Sequence, residues 1–186
     1  IVNTFSLQSN RQIKINFDGG DLSSDAGLLL IKEFAAKIGF TKLIEKKFKT
    51  NYKSIRFHKD YENLLQMIYQ VISAYFHDDC ADELTLDPVF NIILDKESLA
   101  SQPTLSRFFN RMDEDTLIQF DDIDKNLRDT IYSIKRPEHV LLDLDSTLFD
   151  TYGRQEGEGF NFHYQAHGYH PFLCYDGLTG DLIKAK

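Results

Sequence analysis

The sequence predicts an α+β protein: a helical amino-terminal stretch that runs into the first antiparallel strands of a sheet. Apolar residues recur at helical spacing as far as Ile134, whereas beyond Val140 they fall in short, strand-length blocks. Lys135-Arg136-Pro137 separates the two regimes, and Asp176-Gly177-Leu178-Thr179-Gly180-Asp181 is a hairpin-type turn signal between two of the later blocks. The expected organisation is therefore a mainly helical region over 1–136 and a strand-bearing region over 137–186. The 186 residues are 42% hydrophobic, with 15 Phe and 9 Tyr, which excludes general disorder and is enough for a sizeable core.

From the amino end, Gln12-Ile13-Lys14-Ile15-Asn16-Phe17 alternates and reads as a strand closed by Asp18-Gly19-Gly20. A helix follows, with Ser23 or Ser24 as N-cap, Asp25 in the first turn, and Leu28, Leu29, Ile31, Phe34, Ala35 and Ile38 on one face up to Gly39. Leu64, Leu65, Met67, Ile68, Val71, Ile72 and Tyr75 define the clearest helix, over 60–76. Residues 81–94 read as two short helical pieces broken near Pro88, and Ser101-Gln102-Pro103 as a capped helix start with proline in its first turn. A long helix over 113–134 is expected to turn Leu117, Ile118, Phe120, Ile123, Leu127 and Ile131 inward. Strands are expected at 139–148, 172–175 and 182–185, with a glycine-rich excursion from Gly153 to Gly159. Three strands without a covering helix leave a bare face and an unpaired edge, so the rest of this sheet domain is expected beyond Lys186.

No apolar run approaches the roughly 20 residues that span a bilayer, and Ile1-Val2-Asn3-Thr4-Phe5 has no signal-peptide pattern. An opening on Ile suggests a piece of a longer protein. Cys80 and Cys174 form neither a disulfide framework nor a thiolate zinc pattern, which makes a reducing, cytoplasmic setting the default. The net charge of −8 is unevenly spread: residues 1–60 hold 11 Lys and Arg against 6 Asp and Glu, and residues 61–186 hold 10 against 23. Lys42, Lys46, Lys47, Lys49, Lys53, Arg56 and Lys59 make a basic strip that could supply phosphate contacts, or an ordinary solvated face.

The chemistry is concentrated in Val140-Leu141-Leu142-Asp143-Leu144-Asp145-Ser146-Thr147-Leu148-Phe149. On a strand, Asp143 and Asp145 project from one face, and two neighbouring anions call for a compensating divalent cation, phosphoryl group or shared proton. A solvated acidic edge strand fits the apolar flanks less well. Two enzymes use such a pair. In one, the strand carboxylate binds Mg²⁺ with acids supplied later in the chain for phosphodiester cleavage. In the other, a haloacid-dehalogenase-type phosphatase with the DxDxT signature, Asp143 is the nucleophile and Asp145 its acid-base partner. The second reading calls for a helix after the motif, where Gly153-Arg154-Gln155-Glu156-Gly157-Glu158-Gly159 stands instead. His163, His167 and His170 lack a helical HxxxH frame, and the glycine excursion lacks the Lys-Ser/Thr end of a phosphate loop.

Several blocks in order resemble the DDE transposases of bacterial insertion sequences: Leu22-Ser23-Ser24-Asp25-Ala26-Gly27-Leu28, Asp79-Cys80-Ala81-Asp82-Glu83-Leu84, Ser101-Gln102-Pro103-Thr104-Leu105-Ser106-Arg107-Phe108, Leu142 to Thr147, Tyr152-Gly153-Arg154-Gln155-Glu156-Gly157 and His167-Gly168-Tyr169-His170-Pro171-Phe172. The resemblance implies an RNase H-like catalytic domain that is incomplete here. It places the first catalytic, metal-binding aspartate at Asp145, with Asp143 as second choice and metal-shell neighbour. The second Asp and the Glu of the triad have no counterpart, so the fragment alone is expected to be inactive. The implied reaction is Mg²⁺- (or Mn²⁺-) dependent hydrolysis at transposon ends, followed by attack of the freed 3′-hydroxyl on target DNA. Double-stranded DNA, both ends and target, is the implied partner, contacted by Lys46, Lys47, Lys49, Lys53, Arg56, Arg107 and Arg111. The resemblance further implies no membrane partner and a setting in the bacterial cytoplasm near the nucleoid, and it leaves a homodimer of the full-length protein open.

Overall fold

The computed structural model describes residues 4–20 and 22–186, so the reading of Ile1-Val2-Asn3 lies outside the described residues. The architecture is α+β, with seven helices and three small antiparallel sheets among the described residues. Two compact units are formed, Ile1–Ile123 and Asp124–Lys186, and the division falls within one long helix.

The first unit opens with β1 (Thr4–Ser6) and β2 (Lys14–Asn16), paired antiparallel with Phe5 opposite Ile15. The predicted strand over 12–17 is thus shortened to three residues, and its partner is a strand that alternation over so few residues does not reveal. Helix α1 (Leu28–Lys37) ends where Gly39 adopts φ +73°, the left-handed conformation that an L side chain resists. Its start differs from the expected one. Ser23 and Ser24 do not cap it; Gly27 occupies the N-cap position without a side-chain bond. Ser23 Oγ instead accepts the Asp25 N–H at 3.2 Å, and the Asp25 carboxylate accepts the Tyr75 hydroxyl at 3.1 Å, which fixes the preceding turns. Within α1, Glu33 is buried. Both the hydroxyl (2.6 Å) and the N–H (3.0 Å) of Ser9 donate to it and hold its carboxyl below the usual range.

Helix α2 (Phe40–Lys47) carries the first half of the basic strip, and a loop leads to α3 (Asp60–Ile72). Helix α3 is four residues shorter than expected and rotated. Its buried face is Asn63, Leu64, Leu65, Gln66, Tyr69 and Gln70, while Val71 and Ile72 are exposed. The short α4 (Cys80–Leu84) and α5 (Pro88–Leu94) match the expected broken pair. Asp87 caps α5 by accepting the Val89 N–H at 2.7 Å, and Pro88 opens its first turn. Helix α6 (Gln102–Phe109) begins after Ser101, as its sequence predicts. The core is built from Leu7, Leu28, Leu29, Tyr69, Leu84, Val89, Phe90, Ile93 and Leu99, with a smaller cluster of Ala81, Ala100 and Leu105 against Met67.

Helix α7 (Glu114–Ile134) crosses from the first unit into the second. Its inward face is only partly the expected one: Ile123 is buried and Phe120 and Leu127 are half-buried as predicted, whereas Leu117, Ile118 and Ile131 are exposed and Thr116 is buried in addition. The cause lies at its start. Thr116 donates to the Asp113 carbonyl and accepts its N–H, and Phe120 packs on Phe48 at 5.1 Å, which together set which stripe faces inward.

In the second unit β3 (Leu142–Ser146) pairs antiparallel with β7 (Phe172–Asp176), and β7 with β8 (Leu182–Ala185), so the sheet order is β3-β7-β8. Between β3 and β7 the chain forms a second sheet of β4 (Phe149–Asp150), β5 (Gly159–Asn161) and β6 (Ala166–Tyr169), ordered β4-β6-β5. The glycine-rich excursion is therefore the link from β4 to β5, which flank β6 on opposite sides, with Gly153 and Gly157 both at φ +80°. Gly168 sits where β6 crosses between its neighbours, opposite Asp150 and Gly159. A Cβ there would stand 2.8 Å from Leu148 Cδ1 and closer still to the Phe149 carbonyl oxygen. Gly168→Ala is accordingly expected to cost about 2 kcal/mol, because backbone must shift to make room. Urea unfolding of the variant checks this.

Candidate active site and basic pocket

Strand β3 is in register with β7 so that Asp143 lies opposite Tyr175, Leu144 opposite Cys174 and Asp145 opposite Leu173. Directly opposed residues share a face, so Asp143 and Asp145 project together from the side that also carries Tyr175 and Leu173, and Leu142 and Leu144 project from the other. Both carboxylates are exposed to solvent. Asp145 Oδ1 accepts the Ser146 N–H at 2.8 Å, which orients the carboxylate at the strand end. The strand is positioned by groups that the motif does not contain. Asp176 is buried at 1% exposure, and its Oδ1 accepts the N–H groups of Leu141 (3.3 Å) and Leu178 (3.0 Å), joining the start of β3 to the β7–β8 turn. The Gly177 N–H adds a 2.7 Å bond to the Leu141 carbonyl. On β8 the register shifts at a bulge, and Arg128 of α7 donates to the carbonyls of Leu182 (3.3 Å) and Ile183 (3.2 Å) while pairing with Asp124 at 2.7 Å.

The oxygen donors of Asp143 and Asp145 suit a hard cation such as Mg²⁺ in type, but the described residues hold no group of three or more His, Cys, Asp or Glu able to cage a metal. The histidines follow the same pattern. His163 belongs to the turn held by Asn161, His167 faces Glu158 at 4.0 Å, and His170 Nδ1 contacts Asn161 Nδ2 at 3.2 Å. The antiparallel meander also differs from the parallel, helix-flanked sheet on which a DxDxT phosphatase would place this motif.

The basic residues separate into three environments. Lys46, Lys49 and Lys53 are exposed, and the main chain of Lys49 is clasped by the Gln119 amide, which accepts its N–H at 2.8 Å and donates to its carbonyl at 3.1 Å. Lys47 is committed to Asp122 at 2.9 Å. Arg56 lines one pocket of about 410 Å³ with the sequence-distant Arg107 and Arg111, together with Tyr52 and Ser54. Asp60 organises it. Its Oδ2 accepts the N–H (2.9 Å) and hydroxyl (2.7 Å) of Thr50, and its Oδ1 accepts from Arg56 Nη1 and from Arg111 Nη2 at 3.2 Å. Sequence reasoning missed Asp60, Asp176 and Tyr52; only the four-residue spacing of Arg56 and Asp60 was visible as a signal.

Burial on its own would raise the Asp60 pKa, but the Thr50 bonds, the Arg56 charge and the Arg111 bond outweigh it and hold the carboxyl below its ordinary value. A carboxylate depressed in the folded state stabilises fully above its unfolded pKa, about 3.9, and that contribution disappears as pH falls through the lower, folded value. The melting temperature is therefore expected to fall more steeply below about pH 4 in the native chain than in Asp60→Asn, which starts lower. Parallel slopes for the two would disprove the link.

Residues 5–186 match the family model of the transposase DDE domain, group 1, and the chain belongs to that family. No curated protein and no solved structure matches it. The class is that of DNA transposases, enzymes that generally use divalent metals. No helix among the described residues is long and apolar enough to cross a membrane.

Proposed function

We propose that this chain carries the helical, DNA-contacting region and the opening strands of an RNase H-like catalytic domain, divided near residue 136, in a transposase of an insertion sequence. The observation that carries the reading is the pair Asp143 and Asp145 on one solvent-facing side of an antiparallel ribbon, in a chain of the transposase DDE-domain family. Asp145 is the first catalytic carboxylate and a ligand of Mg²⁺ or Mn²⁺, and Asp143 its neighbour in the metal shell. The remaining Asp and Glu of the triad lie outside residues 1–186, so this segment by itself does not cut. When bound, the metal supplies Lewis-acid activation of water and of the freed 3′-hydroxyl, for cleavage at the element's ends and for strand transfer into target DNA.

What the chain's own residues contribute is placement. The Ser146 N–H fixes the orientation of Asp145, and Asp176 with Arg128 keeps the ribbon in register beneath it. Solvent exposure leaves both carboxylates open to a DNA phosphate carrying its cation. Lys46, Lys47, Lys49, Lys53, Arg56, Arg107 and Arg111 contact the duplex, with Lys47 contributing least because Asp122 already neutralises it. The enzyme works beside the bacterial nucleoid, with a homodimer as the arrangement that would hold two ends. The test is magnesium-dependent cleavage of duplexes bearing the element's ends by the transposase and its Asp145→Asn variant.

A further inference from the structure

We infer that the pocket of Tyr52, Ser54, Arg56, Arg107 and Arg111 seats one backbone phosphodiester of duplex DNA, with Arg107 as the charge that meets it and Asp60 as a positioning residue. This rests on DNA being the partner. Arg56 and Arg111 share the Asp60 carboxylate and Arg107 lines the same concavity of about 410 Å³, so these four side chains carry an excess of two positive charges. Both Asp60 oxygens are already occupied, Oδ2 by Thr50 and Oδ1 by Arg56 and Arg111. Arg107 therefore has only the Thr104 hydroxyl at 3.3 Å, and no ion pair among the described residues.

Arg56 and Arg111 are held in place before any ligand arrives. Their guanidinium carbons stand 4.5 and 6.0 Å from the Tyr52 ring centroid, Arg111 lies 5.5 Å from the Phe108 ring, and Arg111 Nη1 donates to the Arg107 carbonyl at 3.0 Å. Side chains ordered in advance lose little entropy on binding. Each also keeps a buried Nε–H without a hydrogen-bond partner, so the pocket has more donors than this chain has acceptors for them. An anion with several oxygens supplies acceptors to the pocket, arginine forks match phosphate oxygens, and the Tyr52 and Ser54 hydroxyls add neutral donors. The pocket has room for a phosphate with its attached sugar, and no side chain in it is an acidic or amide reader of a base edge.

The test is fluorescence-anisotropy binding of a labelled duplex of roughly 30 base pairs by this chain between 50 and 200 mM salt. Losing one phosphate contact should reduce the slope of log Kobs against log salt by about 0.9, equivalent to about eightfold weaker binding at 0.1 M salt. Arg107→Gln is expected to show that loss on an end-bearing duplex and on an unrelated one alike, with an unchanged melting temperature because the residue is exposed. Arg107→Lys should keep the slope. Lys14→Gln, an exposed lysine on β2, controls for the mere loss of a charge and should keep it too. An Arg107→Gln slope no smaller than that of Lys14→Gln, or a loss confined to one duplex sequence, overturns the pocket while leaving the DNA reading standing. Failure of the unaltered chain to bind any duplex at 50 mM salt overturns both.

Discussion

Replacing Asp145 by Asn is expected to lower magnesium-dependent strand cleavage by about a thousandfold in the transposase that carries all three acids, with duplex binding retained. Asparagine keeps the side-chain oxygen that accepts the Ser146 N–H, so the strand end holds its geometry. What disappears is the negative charge, and with it most of the site's hold on a divalent ion, whose stabilisation of the reacting oxygens is worth several kcal/mol; about 4 kcal/mol corresponds to three decades of rate. Stability should be unaffected or slightly improved, because Asp145 is exposed and its loss relieves repulsion with Asp143. Asp143→Asn is expected to cost only about tenfold, the size of effect seen for a neighbour that tunes a metal ligand. In this chain alone, Mn²⁺ should broaden the amide signals around Ser146, and less so in Asp145→Asn. Full cleavage by Asp145→Asn with loss in Asp143→Asn would transfer the role to Asp143. Full cleavage by both would remove the mechanism.

The strand and the helix types were legible because each rests on local pattern. Asp143 and Asp145 alternate with leucines, so their shared face could be read before any partner was known, and the register with Leu173 and Tyr175 agrees with it. Asp87-Pro88 and Ser101-Gln102-Pro103 announce helix starts through chain chemistry that needs no tertiary contact. Helix rotation was only partly legible on α3 and α7. Apolar count alone assigned Val71, Ile72, Leu117 and Ile118 inward, and they are exposed, because the inward positions go to residues with specific partners: Gln66 with Ala100, and Thr116 with Asp113. The basic strip misled in a related way. Contiguity in sequence grouped Lys47 with Lys46 and Lys49, whereas Asp122 pairs with Lys47, and the pocket's basic cluster joins the loop residue Arg56 to Arg107 of α6 and to Arg111 just beyond it. Long-range pairing of charges has no signature in a single sequence.

Gln66→Ala tests whether that buried amide is structural, and is expected to destabilise the chain by about 3 kcal/mol, since truncation leaves two buried backbone groups without partners at about 1–3 kcal/mol each. Gln66 is 2% exposed. Its Nε2 donates to the Ala100 carbonyl at 2.8 Å and its Oε1 accepts the Ala100 N–H at 2.8 Å, so the side chain completes one residue of backbone pairing just before α6 begins. Because Ala100 leads directly into the helix that carries Arg107, the same substitution should also weaken duplex binding, which Arg107→Gln does without any change in stability. Gln66→Glu separates hydrogen bonding from shape. Ionised, the introduced carboxyl can accept the Ala100 N–H but meets the carbonyl as a second acceptor; protonated, it can both accept and donate. The folded state then raises the pKa of that carboxyl, so the variant's stability is complete below the unfolded value of about 4.3 and is lost as pH rises through the folded one. Urea midpoints should therefore show the gap between Gln66→Glu and the native chain widening from about pH 4 to about pH 7. A constant gap, or a cost below about 1 kcal/mol for Gln66→Ala, would mean that water replaces the amide and that α6 is held by its apolar contacts alone.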